Sequence, residues 1–154
     1  MKTHDMDRIE RKITLRAPRS RVWRALTDWK EFSAWFGVDM EGPFTPGARV
    51  AGTVRHPAYA HLAFDIVIDR MEPERYFSWH WIPGAMEPGR DYSKEAKTLV
   101  VFTLEDAPQG TILTVVESGF SRIPPELRAK VYRMNSAGWD EQMKNIERHV
   151  HAAT

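Results

Sequence analysis

Thr98-Leu99-Val100-Val101-Phe102-Thr103-Leu104-Glu105 and Thr111-Ile112-Leu113-Thr114-Val115-Val116-Glu117-Ser118 are joined through Ala107-Pro108-Gln109-Gly110. In both segments the alternate positions Val100, Phe102, Leu104 and Leu113, Val115, Glu117 fall on one side of an extended chain. That period of two, closed by a proline–glycine turn, predicts two antiparallel strands with one buried face. Working outward, Phe77, Trp79 and Trp81 alternate with Tyr76, Ser78 and His80, while Leu62, Phe64, Ile66 and Ile68 alternate with Ala63, Asp65, Val67 and Asp69. Val50, Gly52 and Val54 repeat the pattern, and so does Ile9 to Arg16, where only Arg11 breaks the apolar face. Consecutive strands with short links make a meander of about six strands. Glu72-Pro73-Glu74 is a turn, His56 to His61 an irregular excursion, and Pro83 to Tyr92 a loop long enough to act as a flap.

Helical spacing appears at two places. Pro18 opens a segment in which Val22, Ala25, Leu26 and Trp29 recur at three- and four-residue steps, and Phe32, Trp35 and Phe36 continue into a second short helix. Gly37 to Gly47, with Pro43 and Pro46, reads as a loop. Pro124-Pro125-Glu126 opens the tail, where Leu127, Val131, Met134 and Gly138 share one face. Trp139, Met143, Ile146 and Val150 lie on a second face, rotated by roughly a third of a turn. Either the helix kinks between Asn135 and Gly138, or it crosses a concave sheet that meets it over a wide arc; Gly138 would mark a kink or a close backbone approach. The expected fold is α+β, in one domain over residues 1–154: a curved antiparallel sheet around a long C-terminal helix, with two short helices after the first strand.

Composition narrows the function classes. The 154 residues carry 22 basic and 21 acidic side chains, so no global field favours nucleic acid or an anionic membrane. Cysteine is absent, which removes disulfides, thiol catalysis and thiolate metal sites. No apolar run approaches a membrane span or a signal peptide, so the expected location is cytoplasmic. His56 with His61, and His149 with His151, lack neighbouring carboxylates at a ligand spacing, so no metal is expected, and no cofactor motif is present. Six tryptophans, seven phenylalanines and four tyrosines suit either a thick aromatic core or a cavity for a flat apolar molecule.

Strand parity names the candidates. Phe64, Phe77, Trp79, Trp81 and Phe102 point inward, and Trp35, Phe36, Met134 and Trp139 would close a cavity mouth, with Asn135 adding an amide. Plain core packing would place many of them equally well. Glu117 is the one carboxylate on an otherwise apolar face. It would be a polar anchor for a ligand, a candidate catalytic acid or base, or a strand-end residue that reaches solvent or pairs with an arginine; the last is slightly favoured.

The order of elements resembles the helix-grip fold of the START-like or SRPBCC superfamily. Ala17-Pro18-x-x-x-Val22-Trp23-x-Ala25-Leu26-Thr27, Pro46-Gly47-Ala48-Arg49-Val50 and Val67-Ile68-Asp69-Arg70-Met71-Glu72-Pro73 occur in that order. Phe77-Ser78-Trp79, Gly110-Thr111-x-Leu113-Thr114-Val115, Ser118-Gly119-Phe120 and Gly138-Trp139 follow. The set is similar to the branch named for activators of the heat-shock-protein-90 ATPase. The resemblance implies the fold and leaves three functions open, because the superfamily hosts carriers, cyclases and chaperone activators. The first expectation is a module holding a small apolar or aromatic molecule. The second is a cyclase- or hydrolase-type enzyme using Glu117, which requires a second polar group within reach. The third is a chaperone partner, expected to dock through Arg16, Arg19, Arg21 and Arg24; the activators known from eukaryotes add an N-terminal domain for which this chain has no room. A solvated helix face is the commoner use of such arginines.

Overall fold

The structure is a computed structural model that describes residues 7–57, 64–83 and 96–152. Leu62, His61 and residues 84–92 of the expected flap lie outside the described residues. Among the described residues seven strands form one antiparallel sheet: β1 (Arg8–Leu15), β2 (Val38–Met40), β3 (Arg49–Val54), β4 (Phe64–Glu72), β5 (Tyr76–Trp81), β6 (Thr98–Ala107) and β7 (Gly110–Ser118). Their spatial order is β1-β7-β6-β5-β4-β3-β2, a meander except for the first strand, which crosses over to pair with the last. Between β1 and β2 lie α1 (Arg19–Thr27) and α2 (Trp29–Phe36), and α3 (Pro125–Ala152) closes the chain. The fold is the expected α+β helix grip.

The seventh strand is β2, inside the segment read as a loop. Three residues are too few for periodicity to register. Gly52 held the clue: Met40 pairs with Gly52, and a Cβ there would sit 2.7 Å from Val38 Cγ1 and 2.9 Å from Met40 Sδ. A glycine inside a strand marks such close approach. The two helices before it are divided by Asp28, whose carboxylate accepts from the backbone N–H of Lys30 and Glu31 and so caps α2. Gly37, at φ 85°, ends α2 in the left-handed conformation that glycine adopts without a Cβ penalty.

The inward face assigned by alternation is the core. Val50, Ile66, Ile68, Phe77, Trp79, Val100, Phe102, Leu104, Leu113 and Val115 are all buried, and β6 and β7 pair Phe102 with Val115 and Leu104 with Leu113. Edge strand β1 exposes Arg8, Glu10 and Lys12, charges that discourage another chain from adding to the sheet.

The tail is one uninterrupted helix, not two. Val131, Trp139, Met143, Ile146 and Val150 are its buried residues, four of them in the second half. In the first half Leu127 is exposed and Met134 half-buried, so the first apolar face is not a packing face along its length. The second half of the helix is also covered by α2, where Gln142 donates to the Phe36 carbonyl and His149 lies 2.9 Å from Glu31. Gly138 is exposed, and a Cβ there would meet nothing within 4 Å, which corrects the expectation of a close backbone approach. Gly138→Ala should therefore stabilise the protein by about 0.5–1 kcal/mol, because helical alanine loses less backbone entropy than glycine. Urea denaturation checks it, and a destabilised variant would mean that the backbone at Gly138 is not plain helix.

Candidate functional site

One end of the sheet gathers the polar groups. Trp81 ends β5 opposite Thr98, which begins β6, and Val100 in turn faces Glu117 near the end of β7. Trp81, Thr98 and Glu117 share inward parity, so all three project toward α3 at the same rim. On α3, Asn135 and Trp139 are four residues apart, the spacing that stacks side chains on one helix face.

These residues converge on a single carboxylate. Glu117 is 0 % exposed. Trp139 Nε1 donates to its Oε1 at 2.9 Å, and Trp81 Nε1 donates to its Oε2 at 2.8 Å. Thr98 Oγ1 donates to Oε2 at 2.5 Å, and the Asn135 amide is shared between the two oxygens at 2.9 and 3.1 Å. Neither alternative favoured for a strand-end carboxylate holds: Glu117 reaches no solvent, and no arginine among the described residues touches it. The reason is that α3 lies over the strand end and brings donors of its own. Indole N–H and amide NH2 groups donate only, so this shell is complementary to an acceptor-only carboxylate. Desolvating that carboxylate costs several kcal/mol, which the bonds roughly offset, so the cluster fixes geometry more than it adds stability.

The aromatic candidates divide into two groups. Phe77, Trp79 and Phe102 are wholly buried, with ring centroids 5.3–6.2 Å apart. A molecule would touch them only if neighbouring rings moved. Trp35 belongs with this packed interior: its indole donates to the Ala25 carbonyl of α1 at 2.8 Å, and its ring lies against Phe32 and Phe36. Around Glu117 the packing opens outward. Phe64, Trp81, Met134 and Asn135 are all partly exposed, and just beneath them Phe36, Trp81 and Trp139 form a triangle with centroids 5.9–6.3 Å apart. Phe64 stands edge-on to Trp81 at 5.9 Å. The structure thus brings Phe36, Phe64, Trp81, Asn135 and Trp139 together around Glu117, whereas nothing ties Met134 to that group beyond its place next to Asn135 on α3. Sequence reasoning missed Thr98, although its parity with Val100 and Phe102 could have supplied it.

One polar atom in this interior has no partner. Trp79 Nε1 is buried without an acceptor among the described residues. Its ring meets Phe32 at 90° with centroids 5.7 Å apart, an edge-to-face contact that gives the ring a favourable neighbour without replacing a hydrogen bond.

The second polar group that an enzyme reading requires is present in Thr98 and Asn135, but among the described residues the four partners of Glu117 are all donors and none titrates in the ordinary working range. Three of the four clustered arginines have acidic partners, and the fourth, Arg16, is exposed. Arg19 pairs with Asp106 at 2.8 Å and donates to the Glu74 carbonyl. Arg21 and Arg24 both bind Glu31 at 2.7 Å, and His149 lies 2.9 Å from the same carboxylate. Burial alone would raise the Glu31 pKa, but hydrogen bonds from His149 and Arg21 and the two guanidinium charges bring it below the usual value. Among the described residues no helix is long and apolar enough to cross a membrane.

Comparison with known proteins follows the architecture. No curated protein matches the sequence. The structure is similar to protein MLL2253 of Mesorhizobium loti, with TM-score 0.76 and 21 % identity over 96 % of this chain and 98 % of that one. It is equally similar to protein NE0264 of Nitrosomonas europaea, with TM-score 0.76 and 18 % identity over the whole of both chains. DynU16, described as a protein in the dynemicin biosynthetic locus, matches with TM-score 0.73 and 25 % identity. That alignment covers 96 % of this chain and 48 % of DynU16. The first two likenesses concern the fold. Residues 16–151 match the model of one family, and the chain belongs to it: the Activator of Hsp90 ATPase homolog 1-like proteins.

Proposed function

We propose that this chain is a small-molecule-binding domain that holds an apolar or aromatic ligand between the sheet and the first half of α3. The observation that carries the reading is the rim itself. Phe64 and Trp81 remain partly exposed on the inward side of the sheet, with half-buried Asn135 sharing the Glu117 carboxylate with Trp81, while the rings behind them are packed. Large aromatic side chains left partly exposed beside a fixed polar group suit a ligand that adds burial and takes its orientation from that group. The place of DynU16 in a biosynthetic locus suits a small-molecule ligand too.

Two measurements test the reading. Native mass spectrometry of the protein as purified should show a bound small molecule, or the apo protein should bind a naphthalene-based probe with quenching of tryptophan fluorescence. Trp81→Ala should weaken that probe by about tenfold or more, as loss of a central aromatic anchor does. A protein with neither adduct nor quenching up to millimolar probe has a closed aromatic core, and the proposal fails.

A further inference from the structure

We infer that this rim selects a positively charged group, so that its ligand joins an apolar or aromatic body to a protonated or quaternary ammonium. The inference rests on the binding reading above and names the class of ligand. Its basis is the charge balance around Glu117. The carboxylate is wholly buried, and among the described residues each hydrogen bond it accepts comes from a neutral donor: Trp81, Thr98, Asn135 or Trp139. Among the described residues no lysine, arginine or histidine is in contact with it. Neutral donors satisfy the oxygen lone pairs but leave the negative charge in place, and buried charges are ordinarily paired. Glu31 shows the contrast, since two guanidinium groups surround its carboxylate.

The rings around the carboxylate add to that field. Trp81 and Trp139, whose N–H edges point at Glu117, stand with Phe36 in a triangle of rings. The face of an aromatic ring carries negative potential and attracts a cation, most strongly at tryptophan. Trp81 and Asn135 are partly exposed, so the charged base lies one side chain below the surface of the rim. Direct contact is not required, because buried surroundings screen the carboxylate far less than water does. A neutral aromatic ligand gains burial alone. A cation gains burial, the field of Glu117 and the ring faces, whereas an anion loses on the last two counts.

Three probes of nearly the same shape decide the matter on the full chain: 2-naphthylmethyl-trimethylammonium, 2-naphthylmethanol and 2-naphthoate, each titrated by tryptophan fluorescence and calorimetry. The ammonium should bind about tenfold more tightly than the alcohol, and the carboxylate most weakly. In Glu117→Gln the ratio of ammonium to alcohol affinity should fall toward one. Equal affinities for ammonium and alcohol, or a preference for naphthoate, overturn the inference and leave the binding reading standing. Failure of all three probes to bind removes both. The series on the unmodified protein decides the question even where Glu117→Gln does not fold.

Discussion

Gly110→Ala is expected to cost about 3–5 kcal/mol, enough to unfold a large share of a domain of ordinary stability. Gly110 opens β7 at φ 153°, in a region that side-chain-bearing residues rarely adopt. A Cβ at this position would lie 2.0 Å from the Leu15 carbonyl oxygen, 2.8 Å from the Ala17 nitrogen and 3.0 Å from the Arg16 Cα. All three are backbone atoms, so no rotamer change relieves the clash. Relief requires the end of β1 to separate from β7, where Leu15 pairs with Thr111 and the Thr111 hydroxyl donates to the Ala17 carbonyl at 2.8 Å. Urea denaturation beside Gly138→Ala gives an internal contrast, one glycine essential and the other dispensable. A loss below about 1 kcal/mol would show that the β1–β7 seam gives way more easily than its geometry implies.

Glu117→Leu should be of similar size, about 3–5 kcal/mol, by the opposite mechanism of leaving partners behind. Leucine fits an apolar face but accepts nothing, so two indole N–H groups, a hydroxyl and an amide lose their acceptor together. Each buried donor left unmade costs about 1–3 kcal/mol, and those of Trp81 and Asn135 regain some of it by hydration because they are partly exposed. Glu117→Gln should fall between the leucine variant and the native protein. Its carbonyl keeps one set of partners, and Thr98 can turn to accept from the new amide where the indole of Trp81 cannot. If leucine proved as stable as glutamate, the carboxylate cluster would be a burden that the fold carries rather than a support.

Most of this architecture could be read from residue spacing. Alternation located six strands and the inward face, since a half-buried strand must repeat every two residues. It failed at β2, where Val38 to Met40 is too short to show a period, and at the tail, where spacing gives the angle between two apolar stripes but not how far the sheet extends beneath each. At the site, Glu117 stood out as a charge at an inward position. Asn135 and Trp139 were assigned to a cavity mouth but not to Glu117, because the rotation of α3 over β7 depends on packing along the whole helix. The same gap made an arginine or solvent the preferred partner for Glu117 when the actual donors come from strands β5 and β6 and from a helix.

The Glu117 cluster also bears on how the chain assembles. The hairpins that build the sheet supply two of its donors, Trp81 and Thr98, and the other two arrive only with α3. A sheet collapsed without its helix would therefore hold a carboxylate half served, with an incentive to stay hydrated rather than settle into a compact intermediate. The last helix thus acts as a latch. Its docking completes the shell of a buried charge on the sheet, coupling strands β5 to β7 and the C-terminal helix into a single folding event.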